Sequence, residues 1–469
     1  MTTRPSALPF VDAPTPETIP ITPITRAQLE PWLERASQGR RAWVKSVGFK
    51  AERGEFCPLP GDGGAMERVL LGVLDLGDPW SYASLPRRLP RGLYAIEPDE
   101  GAALEPSAAD DIALGWGLGT YEFHRYRGGP RPVSTLVWPT GCDRGRATRL
   151  LEGVFLGRDL INTPASDMGP EQLAAAARVL AGRHGATVTV IIGDDLLAQN
   201  FPTVHAVGRA SARAPRLVDL RWGDERHPRV TLVGKGVCFD SGGLDLKNAG
   251  GMKLMKKDMG GAATILGLAH AVMDAELPVR LRVLLPAVEN SVSGDAMRPL
   301  DVITTRKGLT VEVGNTDAEG RLILCDALAE ADGEKPDLLI DMATLTGAAR
   351  VALGTALPAL FCTDDAVADA ILSAGLEVRD PLWRMPLYTP YRKQLDSAVA
   401  DLSNIGSGRF GGAIMAALFL KEFVRESPRW VHIDTMAWNV DNRPGRPHGG
   451  EPMALRALFC MLERRYASG

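Results

Sequence analysis

The sequence predicts an α/β protein of two domains. A smaller N-terminal α/β domain is expected over residues 1–150. A larger C-terminal domain, a mixed and largely parallel sheet flanked by helices, is expected over residues 151–469. Three observations lead there. At 469 residues the chain is too long for one ordinary hydrophobic core. Beyond about residue 160, short continuous apolar runs alternate with helical segments, the pattern of parallel strands covered on both faces. Before residue 150 the chain is instead broken up by Pro and Gly, with fewer and shorter apolar runs.

Residues 1–25, rich in Pro and Thr, lack the basic start and apolar block of a secretory signal and read as a loosely ordered lead-in. Strands are expected over residues 68–74 and 92–96, and an Ala-rich helical segment runs from about Pro106 through Leu118 towards Tyr126. A connecting helix over residues 152–160 stops at Asn162-Thr163-Pro164. Strands then follow over residues 186–192, 216–220, 230–233, 279–285 and 337–341, with an apolar helix over 260–275. Ligands of such sheets sit at the carboxyl ends of the strands, which is where the polar clusters of this half fall.

Hydrophobic content of 45% and charged content of 23% are those of a soluble globular chain. A net charge of -4 with no Lys/Arg-rich run argues against nucleic acid as the main partner. No apolar stretch is long enough to span a bilayer, so no membrane association is expected. The six cysteines are far apart, with no CxxC, and read as free thiols of a cytoplasmic protein.

The densest chemistry lies in Asn315-Thr-Asp-Ala-Glu-Gly-Arg-Leu322. In an extended chain Asp317 and Glu319 face one point, where paired acids can bind a divalent cation and Arg321 can hold an anion. Thr316-x-x-Glu319 is equally a capping box before the apolar helical stretch 322–328. A second cluster follows the strand at 230–233: Lys235 between glycines, Asp240-Ser-Gly-Gly243, Lys247 and Asp258. Singly, Asp240 reads as turn chemistry and Asp258 as an N-cap. The spacing around Lys235 is not that of a phosphate-binding loop. Together, four acids at strand ends or helix starts balance the charge of two divalent cations. No HExxH is present, and His432 and His448 read as structural or surface histidines.

These segments resemble the leucine (cytosol) aminopeptidase family of dinuclear metallopeptidases. The octapeptide matches its signature, and Gly234-Lys-Gly-x-x-Phe-Asp-Ser-Gly-Gly243, Lys247 and Asp258-Met-Gly-Gly-Ala-Ala263 match its other metal-site region. Asp341–Gly347, Asp401-Leu-Ser-Asn404 and Gly411-Gly-Ala-Ile414 match as well. The likeness covers most of residues 155–440. It departs at Asp245, two residues before Lys247, and over 432–438 and 442–455, regions that help shape the substrate pocket. Asp245 either shares a side with Lys247 and raises its pKa or points to solvent.

The resemblance implies a leucyl-type exopeptidase that releases N-terminal amino acids from peptides with a free N-terminus. One metal ion would be held by Lys235, Asp240, Asp258 and Glu319, and the other by Asp240, Asp317 and Glu319. The ions would be Zn²⁺ or Mn²⁺, with Mg²⁺ able to enter the looser site. A water between them would supply hydroxide to the peptide carbonyl. Lys247 would stabilise the oxyanion, and Arg321 would hold a bicarbonate that shuttles the proton. Met255, Thr344, Leu345 and Gly347 would contact substrate. The family also implies a homohexamer. Two other readings compete: a different two-metal hydrolase such as a phosphatase, and a non-catalytic or secondary nucleic-acid-binding role on the same scaffold.

Overall fold

The computed structural model describes residues 8–61, 63–99 and 104–467. The chain forms two compact units. One holds the N-terminal part through Leu151 together with Asp441–His448; the other holds Glu152–Val440 and the C-terminal segment from Gly449. The segment 441–448 carries no hydrophobic periodicity. Within its unit it is fastened through Arg446, whose guanidinium lies 4.2 Å above the ring of Trp80.

The first unit carries six strands: β1 (Phe10–Val11), β2 (Ile19–Ile24), β3 (Phe56–Pro60), β4 (Met66–Gly72), β5 (Leu93–Ile96) and β6 (Thr135–Val137). Their order is β1-β6-β5-β2-β4-β3, and β3 alone pairs antiparallel. Residues 8–25 thus differ from the loose lead-in expected of them, because β2 sits inside the sheet between β4 and β5; residues 1–7 lie outside the described part. Pro20 and Pro23 hid this strand, since proline is normally excluded from central strands. Burial of Ile21 and Ile24, neither exposed at all, offsets the ladder bonds the prolines cannot make. Tyr82, Tyr94 and Trp116 fill the core beneath, the last from the helix Pro106–Thr120.

The second unit begins with β7 (Thr187–Ile192), β8 (Arg216–Trp222), β9 (Arg229–Gly234), β10 (Gly236–Asp240) and β11 (Arg280–Asn290). After β12 (Val302–Thr304) and β13 (Thr310–Glu312) come β14 (Leu338–Ala343), β15 (Ala359–Cys362), β16 (Trp383–Arg384), β17 (Leu402–Ser403) and β18 (Trp430–Asp434). The main sheet runs β16-β15-β18-β14-β9-β11-β8-β7, with β10 added to the far end of β11. Its centre, β18-β14-β9-β11, is parallel, and β15, β8 and β7 pair antiparallel towards the edges. This is the mixed, largely parallel sheet expected, flanked by helices.

The helix Gly260–Asp274 is buried along nearly its whole length, as a helix apolar on all sides must be. Gly261 lets its first turn sit on β14, where a Cβ would fall 2.1 Å from the Met342 carbonyl oxygen. The helix Glu319–Gly333 packs Leu322, Ile323 and Leu328 into one cluster with Val233, Leu284 and Leu339. Between β14 and β18 a buried polar clamp forms. His432 Nδ1 is 2.6 Å from Asp341 Oδ1, and Trp430 Nε1 donates to Asp341 Oδ2 at 2.7 Å. His432 is therefore structural: it orders the two strands whose ends reach the site.

Candidate metal centre and substrate cavity

Every expected metal-type residue lies where a parallel strand runs out or a helix begins. Lys235 follows the last residue of β9, and Asp240 closes β10. Asp258 sits in the short 3₁₀ turn Met255–Met259. Asp317 and Glu319 flank the start of the helix Glu319–Gly333. These strand ends line a polar crevice, the place where such sheets bind ligands.

Two cation–carboxylate groups meet there. Lys235 Nζ is 2.7 Å from Asp258 Oδ2, 3.0 Å from Glu319 Oε1, and donates to the Thr344 carbonyl at 2.9 Å. Gly320 makes room for this lysine; a Cβ there would meet its Nζ at 2.6 Å. Lys247 Nζ contacts Asp240 Oδ2 at 2.8 Å and also pairs with Asp317. Carboxylate oxygens of Asp240, Asp317 and Glu319 all lie within 4.8 Å of one another. Three acids this close repel, and the carboxyls record it. Burial first, then the charge of Asp240, pushes Glu319 up to about 8 and Asp317 up to about 6. Burial would also raise Asp258, but the Lys235 and Lys257 charges outweigh it and hold Asp258 below the usual range. Both lysines that face the acids gain: burial works against Lys235 and Lys247, yet the neighbouring carboxylates keep each above its ordinary value. Crowded, protonation-prone oxygens balanced by two ammonium groups form a donor set that fits divalent cations. Oxygen donors with one amine suit hard or borderline ions.

The octapeptide reaches this geometry differently from either expectation. Residues 316–317 form a turn rather than an extended run, and Thr316 is not a helix cap, because Ala318 precedes the first helical residue. The Thr316 hydroxyl donates to the Gly242 carbonyl at 2.6 Å and accepts from Asp245 N–H at 2.8 Å. Asp245 is exposed, as the second of its two expected roles has it, but its carboxylate also accepts from Thr316 N–H at 2.8 Å, tying the two motif loops together. Nor does Asp258 cap a helix, for Met259 precedes Gly260 and no side chain caps that end.

Arg321 is buried behind the crevice, and burial pulls it down to about 10. Its Nη1 donates to the Asn404 carbonyl at 2.6 Å, while Nε has no hydrogen-bond partner among the described residues. An orphaned guanidinium N–H is a fit for a small anion. Asn404 in turn accepts from the backbone of Gly314 and Asn315 and donates to the Asn315 carbonyl at 2.8 Å, fixing the entry to the octapeptide.

A cavity of about 710 Å³ opens over the acids. Met255, Thr344, Leu345 and Gly347, the four expected substrate contacts, all line it, as do the five metal-type residues and Lys247; Arg321 does not. Thr344 also links wall to acids, its hydroxyl donating to Asp258 Oδ1 at 2.7 Å.

Several residues that organise the site escaped the sequence reading. Asn290, at the end of β11, donates to Asp240 Oδ1 at 2.9 Å and to the Thr316 carbonyl at 3.1 Å. Asp434, at the end of β18, accepts from the Leu345 and Thr346 amides and the Thr346 hydroxyl, at 3.0, 3.2 and 2.6 Å. Lys257 lies buried in the cavity wall beside Asp258, and burial lowers it from the usual lysine value. A strand-end position was the available signal for Asn290 and Asp434. For Lys257 the local sequence offers none.

Comparison with known proteins supplies an independent line. Residues 155–459 match the description "Cytosol aminopeptidase family, catalytic domain", and residues 19–139 match "M17 aminopeptidase, N-terminal domain". A probable cytosol aminopeptidase of Xanthomonas oryzae pv. oryzae is 46% identical over 455 residues, 92% of each chain. One from Nitratidesulfovibrio vulgaris is 43% identical over 390 residues, 79% of this chain and 76% of its own. Among solved structures, the cytosol aminopeptidase of Coxiella burnetii superposes with a TM-score of 0.93 at 49% identity, covering 97% of this chain and 99% of that one. The bottromycin maturation enzyme BotP, solved in complex with Mn, gives 0.87 at 34% identity, covering 96% and 99%.

Proposed function

The chain belongs to the cytosol aminopeptidase family and is a metal-dependent aminopeptidase; on that premise we propose a leucyl-type enzyme that works through two divalent cations. Lys235, Asp240, Asp258 and Glu319 would hold one ion, and Asp240, Asp317 and Glu319 the other. The observation that carries the reading is the trio of acids whose oxygens converge within 4.8 Å, with burial and then the charge of Asp240 holding Asp317 and Glu319 up in pKa. Zn²⁺ and Mn²⁺ are the proposed ions, supported by the oxygen-rich donor set and by the Mn complex of BotP.

When bound, such a pair supplies an acidic water and a field that polarises a peptide carbonyl. The protein's own residues do the rest. Lys235 must give up its proton to ligate, so its present contacts to Asp258 and Glu319 describe the ammonium that a cation replaces. Lys247 lies across Asp240 and Asp317, and with cations holding those acids its ammonium would be free to donate to the carbonyl oxygen as charge grows there. Arg321, with its unspent Nε, would hold a bicarbonate that accepts and returns the proton. Met255, Thr344, Leu345 and Gly347 would bind the first residue and its backbone. The intact acid set, with Lys247 and Arg321 in place, favours this over a phosphatase or a non-catalytic, nucleic-acid-binding scaffold. A cytoplasmic homohexamer completes the proposal, supported by the naming of the relatives as cytosol aminopeptidases and by the family resemblance.

The test is a panel of aminoacyl amides offered with free and acetylated N-termini. Release from the free series alone is expected; equal rates on both would overturn the exopeptidase reading. Metal loading should also release protons. At pH 7 the metal-free site holds one on Glu319, whose carboxyl sits at about 8, and one on Lys235. Proton release on binding should fall by about one per chain between pH 7 and pH 9, where Glu319 is already ionised before the ions arrive. Calorimetric titration in buffers of different ionisation enthalpy measures this count.

A further inference from the structure

The acids and the cations of the cavity wall are not equally occupied. Asp240 and Asp317 share Lys247, Glu319 and Asp258 share Lys235, Asp245 is taken by the Thr316 amide, and Asp434 by the loop at Leu345 and Thr346. Two cations are left over. Lys257 has a side chain only 7% exposed. Among the described residues its ammonium makes no hydrogen bond, and its ion pair to Asp258 Oδ1 is long, at 3.9 Å, to an atom already accepting from Thr344. Arg350, an exposed residue, lines the same cavity, and among the described residues its guanidinium makes one polar contact, Nη1 to the Met436 sulfur at 3.9 Å. A buried ammonium that faces a cavity with only one long ion pair, to a carboxylate it shares, is costly, and that cost is recovered when a ligand supplies further counter-charge.

We propose that Lys257, with Arg350, forms an anion-accepting end of the substrate cavity that lets the enzyme take, beside leucyl substrates, peptides whose first residue is acidic, glutamate or aspartate. The inference rests on the aminopeptidase reading, which also sets the direction of the substrate. With Lys247 at the carbonyl oxygen, the amine end of the substrate lies towards Lys235 and Asp258 at the other side of the acids. Lys257 adjoins Asp258 in sequence and in space, so it faces the side chain of the first residue rather than the remainder of the peptide. Met255, two positions earlier in the same 3₁₀ turn, supplies an apolar wall for the methylenes of that side chain.

Glutamyl and glutaminyl amides have nearly the same shape and differ in charge, so the ratio of their kcat/KM values isolates the proposed contact. The metal-loaded enzyme at a fixed pH near 8 should favour the glutamyl amide by about tenfold, the scale of a desolvated charge pair. Lys257→Met should bring that ratio to one or below, and Lys257→Arg should restore it in part. A leucyl amide run alongside separates the two levels of the argument. If the wild type releases leucine but its Glu/Gln ratio is one or less, or is the same in Lys257→Met, the anion-accepting role is wrong and the aminopeptidase stands. If no free-amine substrate is cleaved, the reading beneath it fails and the inference falls too. Should Lys257→Met not fold, Lys257→Gln and Lys257→Arg carry the same comparison, and an unchanged ratio in Lys257→Gln would overturn the role.

Discussion

Glu319→Ala is expected to abolish amino-acid release, by at least about a thousandfold in kcat/KM, or about 4 kcal/mol of barrier. Glu319 is the proposed ligand that both cations share besides Asp240, and it is 1% exposed at the floor of the cavity. Metal content should fall below one ion per chain. The same variant should change the metal-free protein in a second way. Burial and the charge of Asp240 hold the folded carboxyl at about 8, against the ordinary 4.5. A group raised on folding contributes stability that is full below its unfolded pKa and is lost as pH rises through the folded value. Metal-free wild type should therefore lose stability between about pH 4.5 and 8, and this component of the slope should vanish in Glu319→Ala. Denaturant melts in chelator across that range check it.

Lys247→Met is expected to lower kcat/KM by about a hundred- to a thousandfold, the cost of deleting one donor to a developing oxyanion. Its signature differs from that of Glu319→Ala because the metals should stay. In the metal-free chain the Lys247 ammonium lies across Asp240 and Asp317, in the place where a cation is to be accommodated. Removing it takes away a competitor, so metal affinity should hold or rise while turnover collapses. Chelator competition measured beside steady-state kinetics separates these effects. Joint loss of metal and rate would make Lys247 part of the ion-holding set instead of the catalytic group proposed.

Much of the architecture was legible because apolar strand runs and helix starts are local signals. The runs at 230–233 and 337–341 announced β9 and β14, and the glycines and acids after them marked the strand ends where the crevice lies. Two kinds of information were not local. β2 was hidden because Pro20 and Pro23 argue against a central strand, and only the burial of Ile21 and Ile24 against neighbours far along the chain overrides that preference. Thr316 looked like a capping residue because its spacing to Glu319 fits one. Its hydroxyl instead spans to Gly242 and Asp245, more than seventy positions away, and no periodicity can report such a pairing. The acids themselves became convincing as a set. Asp240 alone is a turn residue and Asp258 alone a helix start. Their chemistry appears when β10 and the 3₁₀ turn at Met255–Met259 bring them beside Glu319. Lys257 shows the reverse case, a residue unremarked in a charged pair whose burial beside the acids makes it informative.

The central claim is that Lys235, Asp240, Asp258, Asp317 and Glu319 together hold two divalent cations. Native mass spectrometry of the Mn²⁺- or Zn²⁺-loaded chain, wild type beside Glu319→Ala, tests it most directly. The account predicts two ions per wild-type chain and fewer than one in the variant. Two ions retained in Glu319→Ala, or a wild type that saturates at one, would contradict it.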